Sequence, residues 1–158
     1  EAAALLRRSG ADPTMVRLMF KDDMDVLKLR ARLLAEAKTI EPGIAISIYK
    51  KAEKGAKATI LAAQLADRLI NGEGIHVGVA INEYKDGSLG VSARSDGSVN
   101  VQIIMEELGG GGHQTVAGVQ LDNMRAADIE PQIIALAKKQ LEQLEEKDNN
   151  ESDSVTRC

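Results

Sequence analysis

The feature that most constrains the fold is a change of hydrophobic pattern at Glu41-Pro42-Gly43. Before it, apolar residues recur at helical spacing, as in Val26, Leu29 and Leu33. After it, the run Ile44–Tyr49 has the β-branched content of a buried strand. Later segments return to helical spacing and then leave it again. A chain with this alternation must combine both kinds of element, which predicts the α/β class.

Three further segments have the pattern of strands. The sequence predicts them at Ile75–Asn82, Ser88–Arg94 and Val116–Leu121. Asp86-Gly87 lies between the first two and is typical of a tight hairpin turn. We therefore expect a mixed sheet in which these two strands are antiparallel neighbours.

Three helices should flank this sheet. The first is expected over Ala58–Ile70, with an inward face of Ile60, Leu61, Leu65 and Leu69. The second is expected over Val99–Leu108, opened by Ser98 or Asn100, and the third over Ala126–Glu146. The predicted fold is α/β: a mixed sheet flanked by helices, with an N-terminal helical connector.

The domain organisation follows from these patterns. Residues 1–38 form the connector, with predicted helices over Ala2–Arg8, from Asp12-Pro13 to about Phe20, and from Asp22-Asp23 onward. Residues 39–146 form one domain. The tail 147–158 is polar and lacks a pattern of core-facing residues, so it is expected to be disordered.

Composition excludes several kinds of function. Aromatic residues supply 2% of the chain, and the net charge is −4 without a basic stripe, which disfavours base stacking and general binding to nucleic-acid backbones. The single cysteine, Cys158, rules out an intrachain disulfide framework and favours a reducing compartment. No apolar run approaches the roughly 18 residues of a membrane span. We expect a cytoplasmic location and no membrane contact by this segment.

Four consecutive glycines, Gly109–Gly112, precede His113 and are the most informative segment for chemistry. Without Cβ atoms, their main-chain amides can approach a phosphate closely, and His113 and Arg94 could add donors to the same oxyanion. A glycine run after a helix is also an ordinary way to end the helix. No Lys follows the run and its glycines are not spaced, so it matches neither the nucleotide P-loop nor the dinucleotide fingerprint.

A family resemblance is carried by the stretch Val91–Gly118. It contains Val-Ser-Ala-Arg-Ser, then Val-Asn-Val-Gln-Ile-Ile-Met-Glu-Glu-Leu, then Gly-Gly-Gly-Gly-His and Val-Ala-Gly. This resembles the DHH-associated domain, the second half of DHH-family phosphoesterases. It is most similar to the version found in bacterial membrane-anchored cyclic-di-AMP phosphodiesterases. The resemblance extends from about Ala2 to about Gln143.

The resemblance implies a set of site residues. In the family, the glycine-rich loop and its histidine contact substrate phosphate, and the arginine of the Ser-Ala-Arg-Ser segment points into the same cleft. Carried over to this chain, the expected phosphate contacts are Gly110, Gly111, Gly112 and His113, with His113 as the catalytic residue. Arg94, Ser92 and Asn100 are expected to place the nucleotide.

The resemblance also implies a division of labour. The family's chemistry depends on two metal ions, typically manganese, held by the preceding domain and its Asp-His-His motif. This chain has two histidines, His76 and His113, and no such motif. We therefore expect manganese to be bound by an upstream half and not by this chain, which alone should be inactive. Residues 1–38 would be the end of that upstream half, in keeping with a sequence that starts at Glu1 without methionine.

The expected function is that of the substrate-binding half of a phosphodiesterase acting on cyclic dinucleotides, with cyclic-di-AMP as the favoured substrate. One alternative is a fragment of an oligoribonucleotide exonuclease or phosphatase of the same superfamily, which would bind a short oligonucleotide. Another is a non-catalytic nucleotide-binding domain. The long C-terminal helix leaves a homodimer open, and the domain could be the cytoplasmic part of a membrane-anchored protein.

Other polar residues have structural interpretations. His76 lies in an alternating strand pattern and is assigned no function. Asp22, Asp23 and Asp25 are expected to cap a helix start. Gln64 and Asp67 are expected to be structural polar residues near a domain interface. Glu106 and Glu107 diverge by about 100° around a helix, so they cannot act as a pair of catalytic carboxylates on one bond.

Overall fold

The computed structural model describes residues 2–12, 14–16 and 23–155. The chain divides into two units, Glu1–Ala31 and Arg32–Cys158. In chain order the elements are α1 (Ala2–Arg8), α2 (Met24–Ala35), β1 (Lys38–Ile40), β2 (Ile44–Ala52), α3 (Ala56–Leu69), β3 (Val77–Tyr84), β4 (Leu89–Ser95), α4 (Val101–Glu107), β5 (Gly111–His113), β6 (Val116–Leu121) and α5 (Ala126–Val155).

The described part of the N-terminal region is largely helical. Helix α1 has its predicted bounds, and the Thr14 amide donates to Oδ1 of Asp12 at 2.8 Å. The Asp25 amide donates to Oδ1 of Asp23 at 2.9 Å, which confirms that Asp23 caps α2. Asp22 and the end of the helix predicted to reach Phe20 lie outside the described residues.

The six strands form one mixed sheet in the order β1-β2-β3-β4-β6-β5. Strands β2 and β3 are parallel, and every other neighbouring pair is antiparallel. The parallel pair needs a crossover, which α3 supplies. The β3–β4 pair is the hairpin predicted at Asp86-Gly87, where Gly87 has a positive φ of 82°. The α/β mixed sheet flanked by helices is therefore confirmed.

One face of the sheet is sealed by α4 and α5. Alternate residues of the central strands point toward these helices, because successive side chains of a strand point to opposite faces. The core includes Ile46, Val79, Ile81 and Val91 from the strands. It is completed by fully buried residues of the two helices: Val101, Ile104, Met105, Ile129, Ile133 and Ala137.

The opposite face is covered in part by α3, which packs on β2, β3 and β4. Close approach depends on Gly78, where an added Cβ would lie 2.8 Å from the Ala66 carbonyl oxygen and 2.9 Å from the Ile70 nitrogen. Leu61, Leu65 and Leu69 are buried as predicted. Ile60 is 55% exposed, so its predicted inward position is wrong. The buried stripe of α3 is completed by alanines, whose small side chains let the helix lie close to the sheet.

The structure differs from the sequence prediction at three further places. Strand β1, which was not predicted, begins at Lys38, the last residue of the predicted connector, and pairs with β2. Gly111–His113, expected to be a loop, is an edge strand paired with β6. Helix α5 continues to Val155 into the tail predicted to be disordered, because extending an existing helix needs no new nucleus. The predicted domain 39–146 falls within the second unit, and its boundaries stay predictions.

Candidate functional site

The glycine run divides into two parts with different roles. Gly109 has a φ of 86°, and its amide donates to the Glu106 carbonyl at 2.9 Å. The Gly110 amide donates to the Met105 carbonyl at 2.7 Å. This pair of bonds is the Schellman ending of a helix. The helix-ending interpretation of the run therefore holds for Gly109 and Gly110, and only the part beyond them is strand.

The next two glycines differ sharply from each other. A Cβ added at Gly112, where φ is 149°, would lie 2.5 Å from both the Ala117 Cα and the Val116 carbonyl oxygen. A Cβ added at Gly111 would meet nothing within 4 Å. Gly112 is thus required for β5 to lie against β6, whereas the side of Gly111 that lacks a side chain is open space.

The strand register places the principal predicted residues on one face. His113 is paired with Val116, and Val116 is paired with Arg94. Two residues further along each of these strands, Gly111 is paired with Gly118, and Gly118 is paired with Ser92. Paired residues share a face, and so do residues two apart along a strand. His113, Gly111, Arg94 and Ser92 therefore lie on the α3 side of the sheet, with the backbones of Arg94 and His113 two strand spacings, about 10 Å, apart.

Arg94 is held in a fixed orientation. Its Nε donates to Oδ1 of Asp67 on α3 at 2.5 Å, and Nη1 donates to the Ala93 carbonyl at 3.0 Å. Its side chain is only 15% exposed. Asp67 was expected to be a structural polar residue, and the structure shows which group it orients. No local sequence pattern indicated this pair, because its members are 27 residues apart.

His113 is exposed at the end of the short edge strand. The turn that follows it is tied to the rest of the domain by backbone bonds. The Val101 amide donates to the Gln114 carbonyl at 2.9 Å, and the Ser95 amide donates to the Thr115 carbonyl at 3.0 Å. The imidazole is therefore accessible while its backbone is anchored at the end of β4 and the start of α4.

Asn100 has a different structural setting from the other predicted residues. Its side-chain oxygen accepts from the amides of Gln102 and Ile103 at 3.1 and 3.4 Å, which caps α4 as the sequence predicted. Its backbone exchanges two hydrogen bonds with the side chain of Gln140 on α5. The hydrogen bonds of Asn100 are therefore made to α4 and α5, the helices that cover the other face of the sheet.

His76 lies just before β3 and contacts a neighbouring loop. Its Nδ1 is 2.7 Å from Oδ2 of Asp96, and Oδ1 of Asp96 accepts from the amide and hydroxyl of Ser98. Burial tends to raise the pKa of Asp96, but the hydrogen bonds from Ser98 and His76 outweigh it and lower that pKa below its usual value. This pair holds the loop that follows β4.

A cavity of about 340 Å³ adjoins the site between α3 and strands β4 and β6. Ser92 and Gly110 belong to its wall, so it is continuous with the predicted residues. Thr59, Asn82 and Gln120 also line it and were not identified from the sequence. For Asn82 and Gln120 a usable signal existed, because each is a polar residue within an apolar strand, on the sheet face shared with Ser92.

The described residues contain no group of three or more His, Cys, Asp or Glu side chains that could hold a metal ion. The two-metal chemistry implied by the resemblance does not fit the side chains of this part of the chain. Among the same residues, no helix combines the length and apolar character needed to span a membrane.

Fold and motif together define a domain class. Residues 41–144 match the model of the DHHA1 domain family, and the chain belongs to that family. It is similar to the cyclic-di-AMP phosphodiesterase PdeA of Listeria monocytogenes, with 38% identity over 135 residues, covering 85% of this chain and 20% of PdeA. It is also 41% identical over 133 residues to the cyclic-di-AMP phosphodiesterase GdpP of Geobacillus thermodenitrificans, covering 84% and 20%. The predicted family is confirmed, and the chain spans about a fifth of these relatives.

Among solved structures, the chain resembles an exopolyphosphatase-related protein from Bacteroides fragilis. The TM-score is 0.73 at 16% identity, covering 87% of this chain and 42% of that protein. At this identity the likeness supports the α/β architecture alone.

Proposed function

We propose that this chain is the substrate-binding half of a phosphodiesterase that hydrolyses cyclic-di-AMP. Relatives that are cyclic-di-AMP phosphodiesterases match more than four-fifths of the chain. The observation that carries the proposal is the register that brings Arg94, Ser92, Gly111 and His113 to one partly open face of the sheet. These groups can donate hydrogen bonds to an anionic ester.

Each of these residues has a distinct part in binding. Arg94, oriented by Asp67, presents its remaining guanidinium donors toward phosphate oxygens. Gly111 has no side chain, so a phosphate can approach its backbone closely. Ser92, which is aligned with Gly111 across β6, adds a hydroxyl. His113 donates a ring N–H to the phosphate as charge develops during hydrolysis, which is why we propose it as the catalytic residue.

The chain is proposed to bind the substrate without cleaving it. Its described residues do not assemble a metal site, and we propose that the reaction depends on groups outside this chain. In the family resemblance those groups hold manganese. We place the activity in the cytoplasm, in keeping with a chain whose single thiol, Cys158, offers no disulfide framework.

Binding by the chain itself gives the first test. We expect isothermal titration to show that cyclic-di-AMP binds and that Arg94→Ala or His113→Ala weakens the binding. Arg68→Ala on α3 and His76→Ala are matched controls that should leave binding unchanged. Tighter binding of the linear dinucleotide pApA than of the cyclic form would favour the exonuclease alternative.

Turnover gives the second test. In a protein that joins this chain to its catalytic half, Arg94→Ala and His113→Ala should each lower turnover by about 10²-fold, the usual effect of losing an oxyanion donor. Near-normal turnover of the His113 variant would contradict its catalytic role. Hydrolysis by the 158-residue chain alone would contradict the division of labour.

A further inference from the structure

The cavity beside Ser92 has a chemical character unlike that of the Arg94 and His113 positions. All the residues that line it are uncharged. Its polar groups include the side chains of Thr59, Asn82, Ser92 and Gln120. A phosphate would find no cation among these lining residues. The cavity therefore suits a neutral group that carries hydrogen-bonding atoms.

Asn82, in the wall of the cavity, carries a buried hydrogen-bond acceptor without a partner among the described residues. The residue is 1% exposed, and its Nδ2 donates to the Ala58 carbonyl at 2.8 Å. That bond fixes which amide atom is the nitrogen. Oδ1 is buried and has no hydrogen-bond partner in the part of the chain that the structure describes. A buried acceptor without a partner is unfavourable, and a ligand N–H would satisfy it.

Three of the residues that line the cavity are glycines, two in strands β4 and β6 and one just before β5. A Cβ at Gly118 would lie 2.7 Å from the Val91 carbonyl oxygen, and one at Gly90 would lie 2.7 Å from the Tyr84 hydroxyl oxygen. Gly110 contributes the third side-chain-free position. The glycines therefore let the Tyr84 ring and neighbouring main-chain atoms lie close together, so this wall of the cavity combines backbone with an aromatic ring, a lining that suits a planar group.

We infer that this cavity receives the amino-bearing nucleobase of the nucleotide whose phosphate lies at Arg94 and His113. The inference rests on the proposed function, since Ser92 is two residues from Arg94, about 7 Å along the strand. A nucleotide spans a comparable length between its phosphate and its base. Asn82 Oδ1 accepts from the exocyclic amine, while the Gln120 side-chain amide offers a donor to a ring nitrogen.

An amino group that can be removed from the ligand provides the test. The chain is titrated with AMP, with purine riboside 5′-monophosphate, which lacks the amine, and with ribose 5-phosphate, which lacks the base. We expect AMP to bind about 10-fold more tightly than purine riboside 5′-monophosphate, the usual scale for one hydrogen bond to a buried group. Ribose 5-phosphate reports the phosphate position alone.

A cavity-filling variant supplies the second measurement without disturbing the bond between Asn82 and Ala58. Thr59→Leu should remove the preference for AMP and leave ribose 5-phosphate binding unchanged. Lys57→Leu, at an exposed position of the same helix outside the cavity wall, is the matched control. Thermal unfolding of both variants verifies that they fold.

The outcomes separate this inference from the proposed function. Equal binding of AMP and purine riboside 5′-monophosphate, with Arg94→Ala weakening both, would overturn the base site and leave the phosphate site standing. Unchanged AMP binding by Thr59→Leu would also overturn the base site. Failure of all three ligands to bind at millimolar concentration would overturn both.

Discussion

The two faces of the sheet were built by the same strands under different demands. The face under α4 and α5 carries large branched side chains such as Ile46, Val79 and Ile81, all buried. The face under α3 carries Gly78, Asn82 and Ser92 at alternating positions of the same strands and of β4. One face is closed and apolar, and the other is partly open and polar. We expect the first face to supply most of the stability, and the second face is the one for which we propose ligand recognition.

The largest expected effect tests the closed face. Ile133→Ala on α5 removes a side chain that is 0% exposed, and the cavity left behind should destabilise the domain by about 2–5 kcal/mol. Urea denaturation measures the free energy of unfolding. Ile60→Ala is the matched control, because Ile60 is largely exposed on α3 and its loss should cost less than about 0.5 kcal/mol. Equal losses for the two variants would contradict the assignment of stability to the closed face.

A smaller effect tests how the open face is shaped. Gly112→Ala forces a Cβ against the Ala117 backbone at a positive φ, so it should destabilise the domain by about 1–3 kcal/mol and displace His113. Gly111→Ala adds a Cβ into open space and should change the free energy of unfolding by less than about 0.5 kcal/mol. Chemical shifts of the His113 imidazole report the displacement.

The two glycine variants should therefore differ in their free energy of unfolding. If Gly111→Ala were as damaging as Gly112→Ala, the β5–β6 register would be wrong, and with it the shared face of His113 and Arg94. If Gly111→Ala weakened nucleotide binding and left the stability unchanged, this would support the proposal that the ligand occupies the open space beside Gly111.

The closed face could be predicted from the sequence, because apolar residues at every second position of a strand indicate that this side of the strand is buried. The bounds of β6 and the Asp86-Gly87 hairpin followed from local signals of the same kind. Strand β5 could not be predicted, because glycine is disfavoured in strands and only the pairing with β6 makes the segment extended. The Arg94–Asp67 contact and the cavity around Asn82 depend on how α3 lies on the sheet, which no local pattern encodes.

The smallest expected effect concerns the β3–β4 hairpin, whose strands both faces share. Hydrogen bonds from the Ser88 hydroxyl and amide, with Lys54 nearby, lower the pKa of Asp86 from 3.8 to about 2. A carboxyl whose pKa is depressed by folding stabilises the fold above its unfolded pKa, and that contribution is lost as the pH falls through the folded value. The melting-temperature difference between the wild-type chain and Asp86→Asn should therefore shrink between about pH 4 and pH 2, as followed by circular dichroism. A difference that stayed constant across this window would show that ionisation of the Asp86 carboxyl does not contribute to the stability of the hairpin.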